Sequence, residues 1–292
     1  MEFMKGILLA GGSGTRLWPV TSGTSKHLIP IFDKPLIYYP ISTLMLAGIR
    51  QILIITTDAD QINYMNLLGD GSRFGVDLNY AIQNEPDGIA SAIEIGADFI
   101  NNDSFCLILG DNVFHGAGMG MSLEEYNDIE GALIFGYKVH DPNRYGIAEI
   151  DSEGNVLSIE EKPRSPKSDI AIPGIYFFDK TAIEKRKNIE KSLRGEYEII
   201  TVLQKYLDLG TLRIRILNRG TAWLDCGTAT SLNDASNYVR VVEERQGFKI
   251  ACLEEIAFRR NWITQKEIEK LAEIYGNTEY GRYLKRIAEN VN

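Results

Sequence analysis

Residues 11–16, Gly-Gly-Ser-Gly-Thr-Arg, hold the first chemistry in the chain. An apolar run from Ile7 to Ala10 reads as a buried strand that stops at Gly11-Gly12-Ser13-Gly14. Glycines leave few Cβ atoms in the way, so the backbone can turn sharply and bring N–H groups close to a ligand. Arg16 follows at once, and Lys26 comes later. A bare, donor-rich loop with two cations behind it suits a polyphosphate. A plain tight turn is the alternative. A P-loop needs Lys-Ser or Lys-Thr at the end of its glycine spacing, and none stands there. A dinucleotide fold needs G-x-G-x-x-G/A, but position 17 is Leu and Pro19 follows.

Three further stretches carry polar groups at strand ends or in loops. Gln83-Asn84-Glu85-Pro86-Asp87-Gly88 follows an alternating run, 77–82. A Gln amide can pair with a pyrimidine edge, and Gly88 allows close approach to a flat ring; a loop leading into a helix at about 90–98 is the plainer reading. Asp111 ends the apolar run Phe105–Leu109. A carboxylate there suits Mg²⁺, which takes hard oxygen ligands, or serves as a turn residue. Glu160-Glu161-Lys162-Pro163 reads as a charged loop, and His115 as a solvated histidine in a mobile Gly-rich loop, 115–120.

These groups need a scaffold. Strand 6–10, a buried helix ending near Gly48 and strand 51–57 form a βαβ unit, hence a parallel sheet with a right-handed crossover. Strands and helices alternate through the first half, so the fold class is α/β, a doubly wound, mostly parallel, Rossmann-like sheet. Turn-rich strands near 147–150 and 156–159 suggest an inserted subdomain. Past 229 the pattern is helical, with Thr264 as a cap and Ile268, Leu271 and Ile274 as an apolar stripe. The expected division is 1–135, an α/β core; 136–228, a part interleaved with the core; 229–292, a helical region. The chain has 292 residues and a net charge of −9, which argues against a broad nucleic-acid surface. Three cysteines fit a reducing, cytoplasmic setting rather than a disulfide framework. No leader and no membrane span is expected.

The motifs together resemble one family. G-G-x-G-T-R-L-x-P-x-T, S-K-x-L-x-P, D-K-P-x-I-x-Y-P, L-G-D-N, E-E-K-P, R-G-E-x-E-I and W-x-D-x-G-T stand in the order of the sugar-1-phosphate nucleotidylyltransferases, nearest the thymidylyltransferase branch. The resemblance implies that Gly11, Gly12, Gly14, Thr15, Gln83, Pro86 and Gly88 bind dTTP or UTP. Arg16 and Lys26 would hold the leaving pyrophosphate, and Asp111 with Asp225 would hold Mg²⁺. Tyr145, Gly146, Glu161, Lys162, Gly174, Arg194 and Trp223 would bind the sugar 1-phosphate, whose oxygen attacks the α-phosphorus. It also implies a homotetramer with an effector site between subunits. His27, Pro173, Ile200, Thr201, Thr221 and Cys226 depart from the family pattern and leave the sugar open. An NAD-dependent oxidoreductase is disfavoured by the broken dinucleotide spacing. A non-catalytic nucleotide-sugar-binding regulator is the other alternative.

Overall fold

A computed structural model describes residues 4–12, 14–116, 119 and 121–290; the expected loop residues Ser13, Ala117, Gly118 and Gly120 lie outside them. Four strands form a parallel block. They run in space as Asp77–Ile82, Gln51–Thr56, Lys5–Leu9 and Phe105–Leu109. The three inner strands are rich in β-branched and aliphatic residues and mostly buried, as a sheet covered on both faces requires, while the edge strand Asp77–Ile82 buries only Leu78. After three strands to one side, the chain returns to the other side of the first. This reversal lies between Lys5–Leu9 and Phe105–Leu109, which pair in register from Lys5 against Phe105 to Leu9 against Leu109. Ligands bind outside the carboxyl ends of strands at such a point. The Gly11 loop and Asp111 both leave from there.

Beyond Phe105–Leu109 the sheet turns antiparallel. Ile175–Phe178, Ala132–Lys138, Ile170–Ala171, Gly146–Ile150 and Val156–Glu161 extend it, and Leu212–Ile216 pairs with Ala132–Lys138 in parallel. The expected inserted strands are therefore part of the same sheet. The expected helix at 90–98 is two short helices, Ser91–Ile95 and Ala97–Ile100, meeting at Gly96. A Cβ at Gly96 would stand 2.6 Å from the Ile7 side chain, so close packing on the first strand selects glycine there.

The C-terminal region is helical: Ala229–Gln246, Leu253–Arg259, Gln265–Tyr275 and Glu279–Glu289. Thr264 caps its helix as expected, in a reciprocal pair with Glu267. Of the expected stripe, Ile268 and Leu271 are buried, while Ile274 is 75% exposed. A separate two-stranded ribbon has no counterpart in the sequence reading. Ala222–Asp225 runs antiparallel to Asn112–His115, with Asp225 opposite Asn112. This ribbon carries the second half of the site.

Candidate active site

At the carboxyl ends of the parallel strands, Asp111 is partly buried, its side chain 14% exposed, and accepts on both carboxylate oxygens. The Lys26 ammonium donates to Oδ2 at 2.5 Å, and the Asn112 amide donates to Oδ1 at 2.9 Å. Burial alone would push this carboxyl up; the Lys26 charge and the two hydrogen bonds outweigh it and hold Asp111 well below the usual carboxylate range. Asp225 reaches the same place through the ribbon, where the Cys226 N–H also donates to the Asp111 carbonyl at 2.9 Å. Burial and then the Asp111 charge push the Asp225 carboxyl up, against the pull of Lys26, Arg16 and Arg144. Two carboxylates thus share one site and oppose each other there. A hard divalent cation satisfies that arrangement, since Mg²⁺ needs only one or two protein carboxylates beside phosphate and water oxygens.

The glycine loop stands against this pair. Gly14 has φ 62° and accepts from the Thr21 hydroxyl at 2.8 Å, turning the chain into the 3₁₀ turn Thr15–Leu17. That turn presents Arg16 to the Asp225 side, because a Cβ on Gly227 would lie 3.3 Å from both the Arg16 guanidinium and Asp225 Oδ1. Gly12 faces the Lys26 side chain. His27 lies beneath, with its ring Nδ1 3.0 Å from the Tyr64 hydroxyl and 3.2 Å from Ser25 Oγ. Burial first, then the neighbouring Lys26 charge, lowers its pKa to about 3, so this departure from the family Gln is a neutral ring. Its Cδ2 lies 2.8 Å from where a Gly110 Cβ would be, packing the ring under the loop that leads to Asp111.

Gln83 joins this loop to residues 84–91. A Gly11 Cβ would fall 2.6 Å from Gln83 Oε1, while Gln83 Nε2 donates to Ser91 Oγ at 2.7 Å. Pro86 is exposed on the same loop. On the side a Cβ would occupy, Gly88 packs against protein: at φ 109°, a Cβ there would sit 2.5 Å from the Tyr197 carbonyl. The Tyr197 N–H donates to Asp87 and its carbonyl accepts from Ala90. Gly88→Ala is therefore expected to cost about 2 kcal/mol of stability from backbone strain, read as a lower urea midpoint. An unchanged midpoint would mean the 84–91 loop gives way.

The sugar-side residues form a second cluster. Glu161 pairs in the sheet with Gly146, and its carboxylate lies 3.3 Å from both the Lys162 ammonium and the Arg194 guanidinium. Arg194 also meets Glu196 and Glu198 at 3.2 and 3.4 Å. Lys162 has φ 44°, and its N–H donates to Tyr145. The positive φ turns the chain sharply after Glu161. Trp223 is 9% exposed, and its indole N–H donates to Asn112 Oδ1 at 2.6 Å. Its ring packs against Tyr145 and Tyr137, so it holds the wall rather than projecting from it. Gly174 donates to the same Asn112 oxygen at 3.1 Å.

Two residues escaped the sequence reading. Asn112 was the residue beside the carboxylate in L-G-D-N, and no local signal shows its cross-chain partners. Arg144 stacks on Tyr145 with its guanidinium 5.5 Å from the ring centre, and its charge reaches Asp225. Its place next to Tyr145 was the available signal. His115 corrects an expectation. It is a half-buried strand residue with Nδ1 2.8 Å from the Tyr238 hydroxyl, not a solvated loop histidine.

A sequence profile of the nucleotidyl transferase family matches residues 5–241. The chain belongs to that family. This nucleotidyltransferase is 53% identical over 286 residues to a glucose-1-phosphate thymidylyltransferase of Mycolicibacterium smegmatis, covering 98% of this chain and 99% of the relative. It is 53% identical over 282 residues to the Neisseria gonorrhoeae glucose-1-phosphate thymidylyltransferase, covering 96% and 98% of the two chains. A Bacillus anthracis chain assigned as a glucose-1-phosphate thymidylyltransferase, solved with sucrose, superposes with a TM-score of 0.75 at 39% identity over 81% of the transferase and 95% of that chain. The transferase is an α/β enzyme, and none of its described helices is long and apolar enough to cross a membrane.

Proposed function

We propose that the chain transfers a thymidylyl group from dTTP to glucose 1-phosphate, giving dTDP-glucose and pyrophosphate, in the cytoplasm. The observation that carries this is the pairing of partly buried Asp111 and Asp225 with Lys26 beside the glycine loop. The relatives at 53% identity act as its named guide to substrate. The nucleotide lies on residues 1–135, the sugar phosphate on 136–228, and 229–292 contributes contact between subunits.

A phosphate oxygen of the sugar 1-phosphate attacks the α-phosphorus in line. A new P–O bond forms there, the bond to the β-phosphate oxygen breaks, and the electron pair leaves with pyrophosphate. No protein nucleophile is required. Cys226, the nearest thiol, is buried, and burial with the two Asp charges pushes it up and keeps it protonated. Positioning and charge neutralisation do the work. Gly11, Gly12 and Gly14 give the triphosphate an unobstructed approach to backbone donors. Arg16 and Lys26 draw charge toward the departing pyrophosphate. Gln83 supplies the amide that reads the pyrimidine. Lys162 and Arg194 orient the incoming phosphate, and Glu161 takes sugar hydroxyls. Asp111 and Asp225 would hold Mg²⁺, which would supply positive charge to offset that of the reacting phosphates.

We further propose a homotetramer with a nucleotide-sugar feedback site between subunits, which the resemblance implies, and take the cavity of about 640 Å³ lined by Phe114, His115, Lys249 and Cys252 as this chain's share of it. His115 stands on the ribbon that carries Asn112, which gives this cavity a physical route to the site.

The test is pyrophosphate release with Mg²⁺, crossing dTTP, UTP, CTP, ATP and GTP with glucose 1-phosphate and its amino and deoxy relatives. Release with dTTP and glucose 1-phosphate supports the proposal. Release only with another sugar phosphate would make Pro173, Ile200 and Thr201 specificity determinants. Silence across the grid, with dTDP-glucose still bound, would sink the enzymatic reading.

A further inference from the structure

Asn112 is 3% exposed and uses both ends of its amide. Oδ1 accepts from the Trp223 indole N–H at 2.6 Å and from the Gly174 backbone N–H at 3.1 Å. Nδ2 donates to Asp111 Oδ1 at 2.9 Å. The partners fix which end is which. Both groups at Oδ1 are donors only, and the ionised carboxylate is an acceptor only. A carboxylate at position 112 could not donate to Asp111, and an apolar side chain could serve neither end. The backbone of Asn112 stands opposite Asp225 in the ribbon. One residue therefore touches the Asp111 carboxylate, the strand that carries Asp225, and the Gly174 turn on the sugar side.

We propose that Asn112 is a positioning residue that sets the orientation of the Asp111 carboxylate for a divalent cation and aligns it with Asp225. This rests on the reading of the two carboxylates as the metal site. Lys26 already holds Oδ2, so the Asn112 bond to Oδ1 is what stops the carboxylate from rotating about its Cβ–Cγ bond. Groups that hydrogen-bond metal ligands in this way commonly control metal affinity as strongly as activity. Trp223 has a separate part. Its N–H fixes the amide from the sugar side, and its ring supports Tyr145.

The test titrates Mn²⁺ into the full-length protein with and without dTTP, read by the electron paramagnetic resonance of free Mn²⁺. Wild type, Asn112→Leu and Trp223→Phe are compared. Mn²⁺ held by wild type with dTTP supports the underlying metal reading, and its failure to bind would remove that reading and the inference together. Given wild-type binding, Asn112→Leu is expected to weaken Mn²⁺ by about 10-fold or more, as loss of a group supporting a metal ligand does. dTTP affinity without metal should change little, and Trp223→Phe, which removes one of the two donors to Asn112 Oδ1 and leaves the Gly174 N–H in place, should weaken Mn²⁺ less than Asn112→Leu does. Unchanged Mn²⁺ affinity in Asn112→Leu would overturn the proposal. So would equal weakening in Trp223→Phe, which would make Asn112 only an anchor for the indole. If circular dichroism shows that Asn112→Leu does not fold, Asn112→Ser is read by the same criteria.

Discussion

Asp111→Asn and Asp225→Asn are each expected to lower turnover by about 10²-fold or more, the scale of losing a major electrostatic contact with the transition state. The reaction brings a phosphate dianion toward a triphosphate. Little but positive charge can lower that barrier, and both carboxylates are placed to hold it. The two variants should differ in stability. Asp111→Asn leaves the Lys26 ammonium, itself 9% exposed, without its carboxylate, and should lower the melting temperature. Asp225→Asn relieves the opposition between the two acids, and should leave the melting temperature equal or higher while activity is lost. Pyrophosphate release at saturating Mg²⁺ and thermal melts in EDTA measure both. Near-normal turnover in the pair of variants would end the metal assignment.

Lys26→Met is the second large effect. The Lys26–Asp111 pair has side chains 11% and 14% exposed, so removing the cation strands a largely desolvated carboxylate. The expected cost is about 3 kcal/mol, at the lower end for breaking a buried pair. Turnover should fall by about 10²-fold, since the same ammonium draws the leaving pyrophosphate. Mg²⁺ should restore part of the stability but none of the activity, because a divalent cation can neutralise Asp111 and cannot replace an ammonium on the pyrophosphate. Urea midpoints with and without Mg²⁺ give the first result, and kcat/KM for dTTP the second. A Lys26→Met protein whose stability ignores Mg²⁺ would show that Asp111 does not meet the cation.

Glycine spacing, cation placement and strand periodicity were legible in the chain itself. The runs 77–82 and 105–109 fall where their alternation and apolarity put them, because a five- or six-residue strand in a covered sheet is written in local side-chain types. The same holds for Thr264, whose capping partner Glu267 is three residues away. Gly88 was read as a space for a ring; its packing against Tyr197, a residue far along the chain, came only with the fold. Trp223 could be wall or ligand contact until Asn112 and Tyr145 were seen around it. The four-residue ribbon strands Asn112–His115 and Ala222–Asp225 are too short to show a period, and their stability comes from each other. The sequence by itself determined a glycine loop with Arg16 and Lys26 behind it and a carboxylate at the end of a buried strand, because local spacing encodes them. The tertiary structure alone decided that Asp225 meets Asp111, that Asn112 pairs with Asp225 and with Trp223, and that His115 is bonded to Tyr238. Those contacts join residues distant in sequence, and only the long-range pairing of the folded backbone brings them within reach.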